Sequence, residues 1–145
     1  MRKVEATIEI DVKPEIAIRA FTDFDKLKGW WEVERAFIEK KEGGAYVLAW
    51  QVSDTGFRYV STGIISRYIP GALIEIGNLV YLNPEKPLLG SMTLTIKATP
   101  MNGKTSLYLC QDGYQTGPDW DWYYEAVKKA WPMVLVMLKN YLEKE

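Results

Sequence analysis

Residues 119–143, DWDWYYEAVKKAWPMVLVMLKNYLE, carry large apolar side chains at Trp120, Tyr124, Val127, Trp131, Leu135, Leu138 and Leu142. Spacings of three and four separate each from the next, which draws one broad apolar stripe along an α-helix. Asp121, Glu125, Lys128, Lys129, Lys139 and Glu143 fall on other faces. Just upstream, Thr116-Gly117-Pro118-Asp119 reads as a variant capping box with Asp in place of Glu, and acidic residues there suit the positive end of the helix dipole. Pro132 lacks the N–H that would reach the Lys128 carbonyl, so a kink is expected at that point. A helix this long, apolar on one side, needs a surface to lie on.

Strand patterns upstream supply that surface. Val4, Ala6, Ile8, Ile10 and Val12 alternate with Glu5, Thr7, Glu9 and Asp11, the period of a half-buried strand over residues 4–12. Pro14 then opens a short helical segment that turns Ile18, Phe21 and Leu27 inward and closes near Gly29. A break near Thr22-Asp23 divides it into two short helices. Beyond Trp30-Trp31, residues 33–40 and 45–52 read as strands joined across Lys41-Glu42-Gly43-Gly44. Residues 59–68 and 73–76 flank Pro70-Gly71, a pair suited to the centre of a type II turn. Residues 78–89, with Asn83-Pro84 and Pro87, read as a loop. Met92, Leu94, Ile96 and Ala98 alternate with Thr93, Thr95 and Lys97, and Asn102-Gly103 leads on to Leu107 and Leu109 as a strong hairpin signal. The predicted class is α+β: a meandering antiparallel sheet of about six or seven strands against a long C-terminal helix, in one domain spanning 1–145.

Composition narrows the chemistry. The chain of 145 residues is 48% hydrophobic and 26% charged, ordinary values for a globular protein and far from those of a disordered one. It contains no histidine, which removes Ser-His-Asp and Cys-His triads and every His-ligated metal site. The single cysteine, Cys110, has no partner within the chain and no basic neighbour in sequence to lower its pKa, so neither a disulfide nor a nucleophile is read there. A net charge of −1 argues against a nucleic-acid surface. The longest apolar run, Ala130 to Leu138, is too short to insert through a membrane. Met1-Arg2-Lys3 leads into an alternating strand where a signal peptide would have an apolar block, and a cytoplasmic protein is expected.

Particular residues then carry a resemblance. Ile10-Asp11-Val12-Lys13-Pro14-Glu15, Phe21-Thr22-Asp23, Leu27 and Trp30-Trp31 look like the opening of the START and polyketide-cyclase-like (SRPBCC, helix-grip) superfamily. Gly43-Gly44-Ala45-Tyr46, Gly63-Ile64-Ile65 and Pro70-Gly71-Ala72-Leu73 resemble its hairpin glycines. Lys104 to Leu109 with Gly113-Tyr114 resembles its final strand, and Trp131 through Glu143 its helix ending. Taken in order, these are similar to the branch of activator of heat shock protein 90 ATPase homologues across nearly the whole chain. One departure is Ala130 before Trp131, where that branch usually has glycine. The resemblance implies a curved sheet gripping the helix, an apolar cavity between them, and no shared catalytic residue.

Candidate site residues follow from both readings. Trp50, Trp120, Tyr124, Val127 and Trp131 are either cavity lining or plain core, since flat rings serve both purposes. Ile65, Leu94, Leu107 and Leu109 are the strand residues expected beside them. Gln111 shares a face with Leu107 and Leu109 and would be a polar group at the pocket mouth; Arg67 shares a face with Ile65. Glu75 either faces inward, where burial would raise its pKa, or lies solvated while Ile74 and Ile76 face in. Asp119, Asp121 and Glu125 read as dipole-complementing residues in place of a metal cluster. No catalytic residue, metal ligand or cofactor is assigned. The leading expectation is a binder of a small apolar molecule, acting without catalysis. The alternatives are a co-chaperone-like activator of a chaperone ATPase and a cyclase-like enzyme using Glu75, a tyrosine or ordered water.

Overall fold

Eight residues of alternating pattern, Lys3–Ile10, form β1 and pair antiparallel with the last strand of the chain, Ile8 opposite Leu107 and Val4 opposite Gln111. The computed structural model describes residues 2–144, so Met1 and Glu145, the two ends of the expected domain, lie outside the described residues. After β1 come α1 (Pro14–Arg19), α2 (Phe24–Trp31), β2 (Arg35–Ile38), β3 (Ala45–Trp50), β4 (Tyr59–Ile69), β5 (Leu73–Leu82), β6 (Leu89–Met101), β7 (Lys104–Asp112) and α3 (Pro118–Glu143). The seven strands make one curved antiparallel sheet in the order β1-β7-β6-β5-β4-β3-β2. Helix α3 packs on β1 and α2, and its buried residues Leu135, Leu138 and Leu142 join Ile10, Ile18, Phe21, Leu27, Ile74, Ile96 and Leu107 in one core.

Turn chemistry sets the register where it was read. Asn102 and Gly103 both adopt positive φ, 52° and 82°, the requirement of a type I′ hairpin turn, and they hold Met101 opposite Lys104. The outcome is an inward row of Met92, Leu94, Ile96 and Ala98 facing the core.

Several boundaries differ from the sequence expectation, each for a local reason. Half of residues 78–89 are strand: β5 continues to Leu82 and β6 begins at Leu89, which leaves 83–88 as the loop. Asn78, at φ 50°, and shifts of register on either side of Leu79 break the alternation there, which hid the strand from a period-two reading. Helix α2 passes Gly29 and ends at Trp31, capped by Glu32 in the left-handed conformation. Gly29 is a site of close approach; a methyl group on it would come within 2.7 Å of the Tyr141 ring. The capping box is absent, since the N-cap is Gly117 and makes no side-chain capping hydrogen bond. Strands β1, β2 and β3 are shorter than read, ending at Ile10, Ile38 and Trp50. Helix α3 runs unbroken through Pro132, whose ring lies on the exposed side.

Candidate functional site

The C-terminal end of α2 delivers Trp31 beneath the sheet, stacked on Trp30 with ring centroids 5.0 Å apart. Trp30 is held by its indole N–H donating to the Ala20 carbonyl at 2.8 Å. From β3, Trp50 meets Trp31 edge-on at 5.0 Å and donates to the Trp31 carbonyl at 3.1 Å. From α3, Trp131 lies 5.5 Å from Trp31. A second aromatic row runs from β4 and β5 to the helix: Tyr59 stacks on Tyr81 at 6.2 Å, and Tyr81 on Tyr123 at 5.0 Å. Between the rows lies a cavity of about 400 Å³, open to solvent on one side, within the size range of small-molecule sites. Its outer edge on α3 is formed by Trp122, Ala126, Ala130 and Val134, four residues at i, i+4 intervals whose two alanines leave the opening clear.

Every side chain on the wall is uncharged. The polar groups are few and mostly engaged. Tyr46 donates its hydroxyl to the Phe21 carbonyl at 2.6 Å. Gln111, at 3% exposure, accepts from the Trp131 indole N–H at 2.9 Å and donates to the Tyr123 hydroxyl at 3.1 Å. Burial pushes the Tyr46 and Tyr123 phenols above their ordinary range. The Tyr81 phenol is pushed up to about 12, chiefly by burial and then by Tyr59, with a hydrogen bond from Asn83 working the other way. Next to Tyr59 in sequence, Arg58 donates to the Tyr59 hydroxyl at 2.9 Å and to Glu85 at 3.1 Å, bridging the loops that precede β4 and β6. Such a cavity can hold a molecule by contact and shape, and among the described residues its wall offers neither a carboxylate nor a cation for acid-base work.

Of the residues singled out in the sequence, Trp50, Leu94, Gln111, Val127 and Trp131 line this cavity. Ile65, Leu107 and Leu109 lie elsewhere, fully buried in the core. Glu75 is on the opposite face of the sheet, because Ile74 and Ile76 occupy the inner one; its carboxylate accepts from Ser66 at 2.9 Å and Thr95 at 3.3 Å. Arg67 is exposed, where β4 shifts register after Ile65. Trp120 and Tyr124 are half-buried against Tyr114, at 6.3 and 5.2 Å, with Arg2 over the Tyr124 ring. The helix turns Tyr123 inward in place of Tyr124, a correction to the stripe drawn from spacing alone. Burial pushes the Cys110 thiol up, away from the thiolate form. Reading the sequence missed Trp31, Tyr59, Tyr81, Tyr123 and the alanine pair Ala126 and Ala130. The i, i+4 alanine spacing was the one signal available for the opening.

Fold and cavity together define a helix-grip protein. The chain belongs to the family described as Activator of Hsp90 ATPase homolog 1-like protein, whose model matches residues 11–143. Among solved structures it is similar to protein MLL2253 from Mesorhizobium loti, at 21% identity and a TM-score of 0.78 over 99% of this chain and 98% of that one. It is also similar to the Aha1 dimer from Colwellia psychrerythraea, at 16% identity and a TM-score of 0.73 over 99% and 97%. A third likeness is CalU16 from Micromonospora echinospora, at 18% and 0.70 over 97% and 76%. At these identities the likeness shows the fold. No curated protein matches the sequence. Among the described residues, no helix is long and apolar enough to cross a membrane.

Proposed function

We propose that the whole chain acts as one domain that binds a small lipophilic molecule between sheet and α3 and carries or sequesters it without chemistry. The observation that supports this reading is the cavity of about 400 Å³ with an uncharged, largely aromatic wall. Rings of this kind offer wide apolar faces with few polar edges, the usual composition of a site that holds flat apolar ligands. Native mass spectrometry of protein purified from its own host tests it: a retained small molecule is expected, and a bare polypeptide mass under the gentlest conditions counts against it.

A second reading, modulation of a chaperone ATPase, draws on the family's description and on an exposed apolar strip along the outside of α3. There Met133, Val136 and Met137 are 68%, 49% and 40% exposed, more than a helix with only solvent beside it needs. The check is the chaperone's ATPase rate with and without this protein. No change where a known activator raises the rate argues against this second role.

A further inference from the structure

Resting on the cavity reading above, the geometry points to a ligand that is neutral and carries a hydrogen-bond acceptor, such as a ketone oxygen, for the hydroxyl of Tyr123. The argument begins at Trp131. An indole N–H can only donate, and it points at the Gln111 side chain at 2.9 Å, so the atom facing it is the amide oxygen. The amide orientation is thereby set, and the Gln111 NH₂ must lie on the other side. That group donates to the Tyr123 hydroxyl at 3.1 Å and to the Met92 sulfur at 3.4 Å, which uses both of its hydrogens. Tyr123 therefore receives a hydrogen bond and keeps its own proton to give.

Among the described residues no acceptor is within reach of that proton. Tyr123 is 8% exposed, and its ring forms part of the cavity wall. A ligand that supplies an acceptor there makes a hydrogen bond that no side chain of the wall offers this donor. A phenol is protonated at neutral pH in any case, and burial pushes this one further up. Gln111 acts here as a positioning residue: it donates to the Tyr123 oxygen and so turns that hydroxyl's proton away from itself. Among the described residues the wall has no charged group to balance an ionised ligand, so a carboxylate would enter unpaired.

Three naphthalenes of similar shape separate these statements: 2-acetylnaphthalene, 2-isopropenylnaphthalene and 2-naphthoate. Titration against tryptophan fluorescence should show the ketone bound about three- to tenfold more tightly than the alkene, the span of one net hydrogen bond, and the carboxylate weakest. Tyr123→Phe should erase the ketone's advantage over the alkene. The infrared C=O band of the bound ketone should lie below its frequency in hydrocarbon solvent, and rise in the variant. Equal affinity for ketone and alkene in the unaltered protein, a preference that survives Tyr123→Phe, or a C=O band at its hydrocarbon frequency overturns the assignment. The band in the unaltered protein decides even if the variant fails to fold. Alkene binding without ketone preference leaves the cavity reading standing, whereas binding of none of the three removes that reading and this one with it.

Discussion

The two halves of α3 lie over the same sheet and meet it in opposite ways. Toward the C-terminus, Leu135, Leu138 and Leu142 are 1%, 0% and 5% exposed within an aliphatic core of branched side chains. Toward the N-terminus, Tyr123, Val127 and Trp131 face a space of about 400 Å³. The difference is one of side-chain shape. Leucines and isoleucines adapt to each other's gaps, while rigid rings pack most readily on other rings. Tyr59, Tyr81 and Tyr123 stack in one row, and Trp30, Trp31, Trp50 and Trp131 cluster in another. Each row satisfies itself, and the space between them stays open. One helix thus anchors the fold with one end and forms a wall with the other.

The largest effect is expected from Leu138→Ala, at the filled end. With the side chain fully buried, truncation leaves a void that close-packed neighbours cannot collapse, and about 3–5 kcal/mol of stability should be lost. Chemical denaturation measures this, and the remaining folded protein should bind an apolar probe as before. A loss under about 1 kcal/mol would mean that this end is not filled, and the contrast between the halves would vanish. Trp131→Ala should cost less than the range of about 3–5 kcal/mol typical of buried rings, because one face of Trp131 already borders empty space. It also strips Gln111 of its indole donor. The variant should stay folded with altered affinity for a fluorescent fatty-acid-like probe; a large stability loss with unchanged binding would make Trp131 purely structural.

The filled end was legible in the sequence and the open end only in part. Leu135, Leu138 and Leu142 were read correctly because a stripe ending in leucines has one sensible phase. Near the N-terminus of α3, spacings of three and four both fit the pattern. Tyr124 stands three residues before Val127 and Tyr123 four before it, so spacing alone could not choose, and only packing against Tyr81 turns Tyr123 inward. Tyr81 itself fell in a stretch read as loop, hidden by the register shifts around Leu79. Gln111 was placed by strand alternation beside Leu107 and Leu109. Its partners, twelve and twenty residues away on α3, belong to tertiary structure and left no local trace. Glu75 shows the converse: a strand with two inward choices is settled by whichever face carries the larger apolar pair, here Ile74 and Ile76.

Ala130→Leu should act on the open end alone. The residue is exposed on α3 and edges the cavity, and alanine and leucine are both good helix formers. Stability should therefore move by no more than about 0.5 kcal/mol, while the added isobutyl group covers part of the opening and lowers probe affinity about tenfold. Isothermal titration beside a thermal melt separates the two. Unchanged affinity would place the point of entry away from α3.

The smallest effect is expected from pH, and its absence is informative. Among the described residues no carboxylate, ammonium or imidazole lines the cavity, and the Tyr46, Tyr81 and Tyr123 phenols are all pushed upward by burial. Affinity for a neutral probe should hence be flat from about pH 5 to about pH 9, since no wall group changes charge in that window. Stability should be insensitive to these phenols over the same range and then fall. A phenol whose pKa is higher in the folded protein than in the unfolded chain favours folding while both forms are neutral. That contribution is complete below the ordinary tyrosine value of about 10 and is lost as pH rises through the folded one, because the unfolded chain ionises first. Alkaline unfolding followed by tyrosinate absorbance should accordingly show ionisation and loss of structure together. A bend in probe affinity between about pH 5 and about pH 8 would mean that a charged group reaches the ligand after all, and the open half of the molecule would have to be read as a site for chemistry.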